Sequence, residues 1–223
     1  MNKVIITGAD GFVGSNTVDC FLSHGIEILA IGRTAIPKRL KEDSNLKYLQ
    51  CDISKPEDML KNIQSNEYDT FIHFAWAGSA GDARKDYNLQ MQNALNTVEC
   101  LKIAKELGCN RFVCAGSIME DEVEAVIHDQ GSKPGMAYIY GMGKLFAHDM
   151  CKAVAADIGI DLVWPKITNA YGVGELSPRM VNTTLRKIIN HEPLQFTAAT
   201  QNYDFVYVTD VARAFYLIAK NGK

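Results

Sequence analysis

Eight residues near the start of the chain limit its fold most severely: Thr7-Gly8-Ala9-Asp10-Gly11-Phe12-Val13-Gly14. Ahead of them, Lys3–Thr7 is a short β-branched run. Behind them, Gly11–His24 has helical periodicity and stops at Gly25. In a Gly-x-x-Gly-x-x-Gly turn between strand and helix, the first glycine permits the tight bend and the second lets backbone approach a pyrophosphate. The third lets helix and strand pack closely. Free N–H groups at the helix start then face the anion. The turn is therefore read as a dinucleotide cradle built from Gly8, Gly11, Phe12, Val13 and Gly14.

The same strand-and-helix rhythm continues along the chain. Glu27–Ile31, Lys47–Cys51, Thr70–Phe74, Arg111–Ala115 and Asp161–Trp164 read as strands. Between them lie a short helix at Lys55–Gln64, with Ser54 as N-cap, and two long helices, Asp86–Leu107 and Ala137–Ile158, closed by Gly108 and Gly159. Strands alternating with helices imply right-handed crossovers and a parallel sheet covered on both faces. The fold expected is a doubly wound α/β sheet of the Rossmann type, in strand order 3-2-1-4-5-6. After Pro165 the alternation loosens into a helix at Pro178–Asn190, a strand at Phe205–Val208 and a helix at Asp210–Lys220. Residues 1–165 read as the dinucleotide-binding core and residues 166–223 as a smaller substrate-binding region interleaved with its end. Ile118–Met136 reads as a long polar loop, the kind that carries function.

Bulk properties exclude several alternatives. A length of 223 residues, with 47% apolar and 22% charged residues, suits one globular unit with a sizeable core. A net charge of -3 with no basic block argues against nucleic acid, and no charge run suits a membrane surface. The apolar run after Met1 is too short for a signal segment, so the cytoplasm is expected. The six cysteines form no Cys-x-x-Cys pair, which argues against a metal site and for small buried hydrophobes.

The end of the second strand bears on cofactor choice. An acid there binds a ribose 2′-hydroxyl, whereas a basic residue suits a 2′-phosphate. The chain reads Ile31-Gly32-Arg33-Thr34, with Lys38 and Arg39 following, so NADP is favoured and NAD is the alternative. Tyr140 and Lys144, four residues apart, share one helix face. A free phenol, with a pKa of about 10, is a poor base; a nearby ammonium favours its phenolate. A tyrosine so placed can exchange a proton with a hydroxyl or carbonyl as hydride moves. Ser117 lies just past the fifth strand, at the edge where parallel sheets bind ligands, and its hydroxyl can hold the reacting oxygen.

Taken in order, the glycine turn, Asp52-Ile53, His73-Phe74-Ala75-Trp76, Asn93-Ala94-Leu95-Asn96-Thr97, Ser117 and Tyr140-x-x-x-Lys144 resemble the extended short-chain dehydrogenases. That family includes nucleoside-diphosphate-sugar epimerases, dehydratases and 4-ketoreductases. Lys166–Gly172 and Tyr203–Val211 resemble two later segments of the family, so the likeness spans essentially the whole chain. The resemblance implies that Asp52 and Ile53 meet the adenine and that Ala75 lies beside the cofactor phosphates and ribose. It implies that Lys144 also holds the nicotinamide ribose, that Ser117 and Tyr140 bind the sugar oxygen, that Asn93 supports the active-site helix and that Asn169 faces the substrate.

Departures from the family pattern narrow the reading. Gly32 stands where NAD-preferring relatives carry an acid, Lys166 and Tyr203 each replace an arginine, and Asn96 replaces a glycine. Ser117 is followed by Ile118-Met119, not by the Asp-Glu pair of sugar dehydratases, which argues against dehydration. Glu120, Asp121 and Glu122 read as loop charges. Relatives generally continue past the final helix, so the stop at Lys223 reads as a fragment or a short version with an incomplete substrate region.

The expected activity is hydride chemistry at C4 of a nucleotide-linked sugar, as a 4-ketoreductase or a 4-epimerase. A catalytically silent dinucleotide-binding protein and a reductase of a small carbonyl compound are the alternatives. A homodimer through the two long helices is also expected.

Overall fold

The computed structural model describes residues 1–222. The elements run β1 (Lys3–Thr7), α1 (Phe12–Ser23), β2 (Glu27–Gly32), β3 (Leu46–Gln50), α2 (Asp58–Asn62), β4 (Thr70–His73), α3 (Tyr87–Glu106), β5 (Arg111–Cys114), β6 (Gly116–Ser117), α4 (Met119–Ile127), α5 (Ile139–Ile158), β7 (Asp161–Val163), β8 (Lys166–Ile167), β9 (Asn169–Tyr171), α6 (Met180–Ile189), β10 (Phe205–Tyr207) and α7 (Val208–Asn221). The main sheet has the order β3-β2-β1-β4-β5-β7, with every neighbouring pair parallel. This is the 3-2-1-4-5-6 arrangement expected from the sequence.

The central strands are buried on both faces, which is why their sequences are continuous apolar runs and do not alternate. Ile5, Phe71 and Phe112 point to one side and pack with Leu101, Ala104 and Cys151 of α3 and α5. Val4, Ile6, Ile72 and Val113 point to the other and pack with Val18 and Phe21 of α1 and Phe215 of α7. Through Val211, Phe215 and Ala219, α7 joins that second layer. Arg111 reaches across to donate to the Ala219 carbonyl at 2.7 Å. The cysteines are free; five are buried, and burial pushes the Cys151 thiol up to about 12. Among the described residues no helix is long and apolar enough to cross a membrane.

Three local expectations change. The stretch Ile118–Met136 is not all loop, because α4 occupies Met119–Ile127. Val123 supplies a buried side on α4, its first turn carries Glu120, Asp121 and Glu122 where the helix dipole favours anions, and it packs on α5. The helix expected over Lys55–Gln64 shrinks to Asp58–Asn62. The Asp52 carboxylate accepts the Ser54 N–H, and the residues after it close through tight three-residue steps, Asp58 to Lys55 and Met59 to Pro56. The region after Pro165 adds two short parallel pairs, β6 with β8 and β9 with β10.

Candidate active site

Loops at the carboxyl ends of β1, β2, β4 and β5 open into one cleft of about 570 Å³. Every residue expected to hold the cofactor lines it. Gly8, Gly11, Phe12, Val13 and Gly14 form its floor, Arg33 stands at the end of β2, Asp52 and Ile53 follow β3, Ala75 follows β4, and Lys144 comes from α5. Gly8 has φ +66°, and a Cβ there would meet the Ala75 backbone nitrogen at 2.7 Å. A Cβ on Gly14 would collide with the Gly8 carbonyl, whereas one on Gly11 would meet only that carbonyl, at 3.0 Å. The turn is thus packed tightly against the protein yet open on the Gly11 side, the shape a pyrophosphate cradle requires.

A second cavity of about 690 Å³ adjoins the first and shares Ser117, Tyr140, Thr168, Ala170 and Arg179 with it. Asn169, expected to face substrate, lines only this second cavity. Ser117 and Tyr140 thus stand where the two spaces meet. Tyr140 belongs to the first turn of α5, which starts at Ile139 after the short 3-10 turn Met136–Tyr138. Lys144 is buried one turn later. Its ammonium donates to the Ala115 carbonyl at 2.8 Å and lies 3.7 Å from the centre of the Trp76 ring, which meets Tyr140 edge-on. The lysine is therefore fixed by the exit of β5 and by an aromatic face, two partners that sequence spacing does not reveal.

Ser117 stands two residues ahead of α4. Its hydroxyl accepts the Met119 N–H at 3.2 Å, and Glu120 reaches back to accept the Ser117 N–H at 2.7 Å. This reciprocal pairing has the form of a capping box. It leaves the hydroxyl proton of Ser117 free to be donated to another oxygen. Glu120 is not the loop charge expected from the sequence: it is fully buried. It also accepts from Trp164 Nε1 at 3.1 Å and pairs with His148 Nδ1 at 3.1 Å. Burial works against its charge, but the hydrogen bonds from His148, the Ser117 backbone and Trp164 outweigh that and hold the carboxyl below its usual value. The signal lies in Ser117-x-x-Glu120, a capping-box spacing hidden inside an apparent loop.

Asn93 on α3 is buried. Its carbonyl oxygen accepts the Ala77 N–H at 3.1 Å and its amide donates to the Ala77 carbonyl at 2.8 Å. What it holds directly is the loop leaving β4, the loop that brings Ala75 and Trp76 to the cleft.

His73, at the end of β4, ties three elements together. Its Nδ1 is 2.8 Å from Thr7 Oγ1 and its Nε2 is 3.3 Å from Thr97 Oγ1. The Thr97 hydroxyl donates to the Asn93 carbonyl, so it accepts from Nε2–H, and Nδ1 accepts from Thr7. Burial first, and the Lys144 charge second, push this imidazole down to about 3. An unfolded histidine titrates near 6.5, so the unfolded chain binds more protons between those values. The stability His73 contributes is complete above about pH 6.5 and declines as pH falls toward 3. Urea unfolding is expected to show about 2 kcal/mol less stability at pH 5 than at pH 7.5 from this group. His73→Gln should flatten that dependence; an unchanged slope in the variant assigns it elsewhere.

Comparison with known proteins agrees with this geometry. The family described as NAD dependent epimerase/dehydratase matches residues 4–223. A putative UDP-glucose 4-epimerase of Methanocaldococcus jannaschii is 23% identical over 229 residues, which cover 99% of this chain and 74% of that protein. A dTDP-4-dehydro-6-deoxyglucose reductase of Escherichia coli is 22% identical, over 96% of this chain and 71% of its own length. Among solved structures, MoeE5 in complex with UDP-glucose and NAD superposes with a TM-score of 0.76 at 25% identity, covering all of this chain and 73% of MoeE5.

Proposed function

The chain belongs to the NAD dependent epimerase/dehydratase family, and on that premise we propose that it moves a hydride to or from C4 of a nucleotide-linked sugar, as a 4-ketoreductase or a 4-epimerase. The observation that carries this reading is the meeting of Ser117 and Tyr140 at the border of two adjoining cavities, with Lys144 behind them and the glycine turn in the first cavity. Relatives named as a 4-epimerase and a 4-keto sugar reductase support C4 as the reacting carbon.

In this reading the first cavity holds the dinucleotide, whose nicotinamide supplies or accepts the hydride. Tyr140 gives a proton to the sugar oxygen during reduction and takes one during oxidation. Ser117, its oxygen already engaged by the Met119 N–H, donates its own proton to the sugar oxygen and holds it against Tyr140. Lys144 stands beside that pair and binds the nicotinamide ribose. Asn169 faces the sugar nucleotide, and the stretch from β8 to β10 forms the substrate side of the site. Free thiols throughout suit a reducing compartment, in keeping with the cytoplasm. Incubation of the purified protein with UDP- and dTDP-hexoses and their 4-keto forms, with NAD(H) and NADP(H), tests the activity directly. Absence of C4 inversion or reduction across that panel rejects it.

NADP is the cofactor this reading favours. Gly32 carries no acid for a 2′-hydroxyl, and a Cβ there would meet the Tyr48 hydroxyl at 2.6 Å. That tyrosine is anchored by donating to the Thr34 carbonyl at 2.7 Å. Arg33 is exposed at the mouth of the cleft and can form charge-assisted bonds to a 2′-phosphate. Titration by fluorescence is expected to give tighter binding of NADPH than NADH, by about ten-fold or more, and Arg33→Ala should abolish the preference. Preference for NADH in the unaltered protein rejects the assignment.

Assembly as a homodimer completes the reading. Tyr87, Met91 and Leu95 share one face of α3, and Phe146 stands on neighbouring α5; all four are exposed. Pairing with a second copy would cover this stripe in a four-helix arrangement. Sedimentation velocity at micromolar concentration measures it, and a monomer rejects it.

A further inference from the structure

The second cavity contains a cation that the chemistry of Ser117, Tyr140 and Lys144 leaves unused. Arg84 comes from the 3-10 turn Gly81–Lys85, and its guanidinium lies 4.0 Å from the centre of the Tyr140 ring. It is half-buried, and among the described residues its one hydrogen bond runs from Nη1 to the Ser79 carbonyl at 3.1 Å. No carboxylate pairs with it among those residues, although Lys85 beside it pairs with Asp82 at 2.8 Å. A guanidinium carries five N–H donors in a planar fork that matches a carboxylate. Holding that fork partly out of water and mostly unpaired is costly unless something else completes it.

The cavity's other charges leave room for such a partner. Glu175 is spent on the Ser177 N–H and the Asn182 amide, both at 2.9 Å. Glu122 lines the same wall and is exposed to solvent, and Arg179 adds a second cation. Arg84 thus presents open donors to the space beside Ser117 and Tyr140. We infer that Arg84 recognises a carboxylate on the sugar, making the preferred substrate a nucleotide-linked hexuronate. This rests on the reading of Tyr140 as the group acting at C4. In a hexose, the carbon next to C4 carries the C6 substituent, so a C6 carboxylate projects beside the reacting oxygen. The diphosphate sits on C1, across the ring from C4, and is poorly placed to reach a cation stacked on Tyr140. A bidentate, charge-assisted pair is the contact such a fork makes best.

The test compares UDP-glucuronate, UDP-glucose and UDP, each titrated calorimetrically into the purified protein with cofactor present, alongside turnover of both sugars. UDP-glucuronate is expected to bind at least about ten-fold more tightly than UDP-glucose. Arg84→Gln and Arg84→Met should remove that difference while leaving UDP and cofactor binding unchanged. The methionine variant keeps an apolar cover on Tyr140, which separates loss of charge from loss of packing. Equal affinity for both sugars in the unaltered protein overturns the inference, as does a preference that survives both variants. A uniform loss for both sugars and UDP also overturns it, since that marks a diphosphate contact. Turnover of UDP-glucose without a uronate preference leaves the C4 reading standing alone. Failure to bind any nucleotide sugar, with the cofactor still bound, removes both.

Discussion

Replacing Tyr140 with phenylalanine is expected to lower turnover by about two to four orders of magnitude and leave cofactor affinity unchanged. The substitution removes one oxygen and keeps the ring. The ring is what packs edge-on against Trp76 and lies under Arg84, so the neighbouring side chains keep their places. On the proposed reading the proton donor at the sugar oxygen is lost, and a less well-placed water must take its role. Lys144→Ala should behave differently. Its ammonium bridges the Ala115 carbonyl and the Trp76 face, so removal should impair both turnover and cofactor binding, and should loosen the exit of β5 as well. Ser117→Ala should cost less turnover than either, because Tyr140 still reaches the substrate oxygen. Steady-state rates and cofactor titrations on the three variants decide the matter. Wild-type turnover from Tyr140→Phe on the true substrate would mean that the phenol is only structural.

The second large effect is expected at Glu120. Alanine there deletes half of the capping box and strands the Ser117 N–H, the Trp164 indole N–H and the His148 imidazole around a cavity. The Ser117 N–H is left buried and unpaired, and the half-buried Trp164 and His148 lose their acceptor, a loss of about 3 kcal/mol in all. In a domain of this size that lowers the melting temperature by roughly 6 to 12 °C. Glutamine keeps an oxygen for the Ser117 N–H but turns an amide toward donors, so Glu120→Gln should fall between. Because the same bonds tie Ser117 to α4, both variants should also weaken substrate binding more than cofactor binding. Tyr140→Phe, which keeps the ring packed against Trp76, serves as the control for stability. A melting shift under about 2 °C for Glu120→Ala would show that the cluster is not holding α4.

These two sites differ in how far the primary structure exposes them. Tyr140 and Lys144 are legible because a helix turns Tyr-x-x-x-Lys into neighbours whatever the surroundings. Glu120 is much less so: the acidic run Glu120-Asp121-Glu122 looks solvated, the spacing from Ser117 is its one local mark, and packing alone shows its burial and its partners on α5 and just past β7. Glu120 is fully buried, while Asp121 and Glu122 face outward. The same holds for Arg84, whose neighbours Asp82 and Lys85 pair with each other at the surface while it alone turns onto Tyr140.

Local pattern was enough for the alternation of strands and helices, the strand order and the position of the glycine turn. The elements and the turn follow from period, β-branching and backbone sterics, which act between residues close together in the chain, and the strand order follows from the right-handed crossovers of the fold that such alternation builds. It also placed Ser117 and Tyr140 on the same edge of the sheet, since every parallel strand in such a fold ends on that edge. What lies behind them was settled by packing in three dimensions. His73 joins Thr7 to Thr97 across three elements, Lys144 finds Ala115, and Glu120 gathers Ser117, His148 and Trp164. Apart from Ser117–Glu120, these contacts link residues 24 to 66 positions apart. A buried polar group takes whichever partners the packed core brings within about 3 Å, and short-range pattern carries no record of that choice.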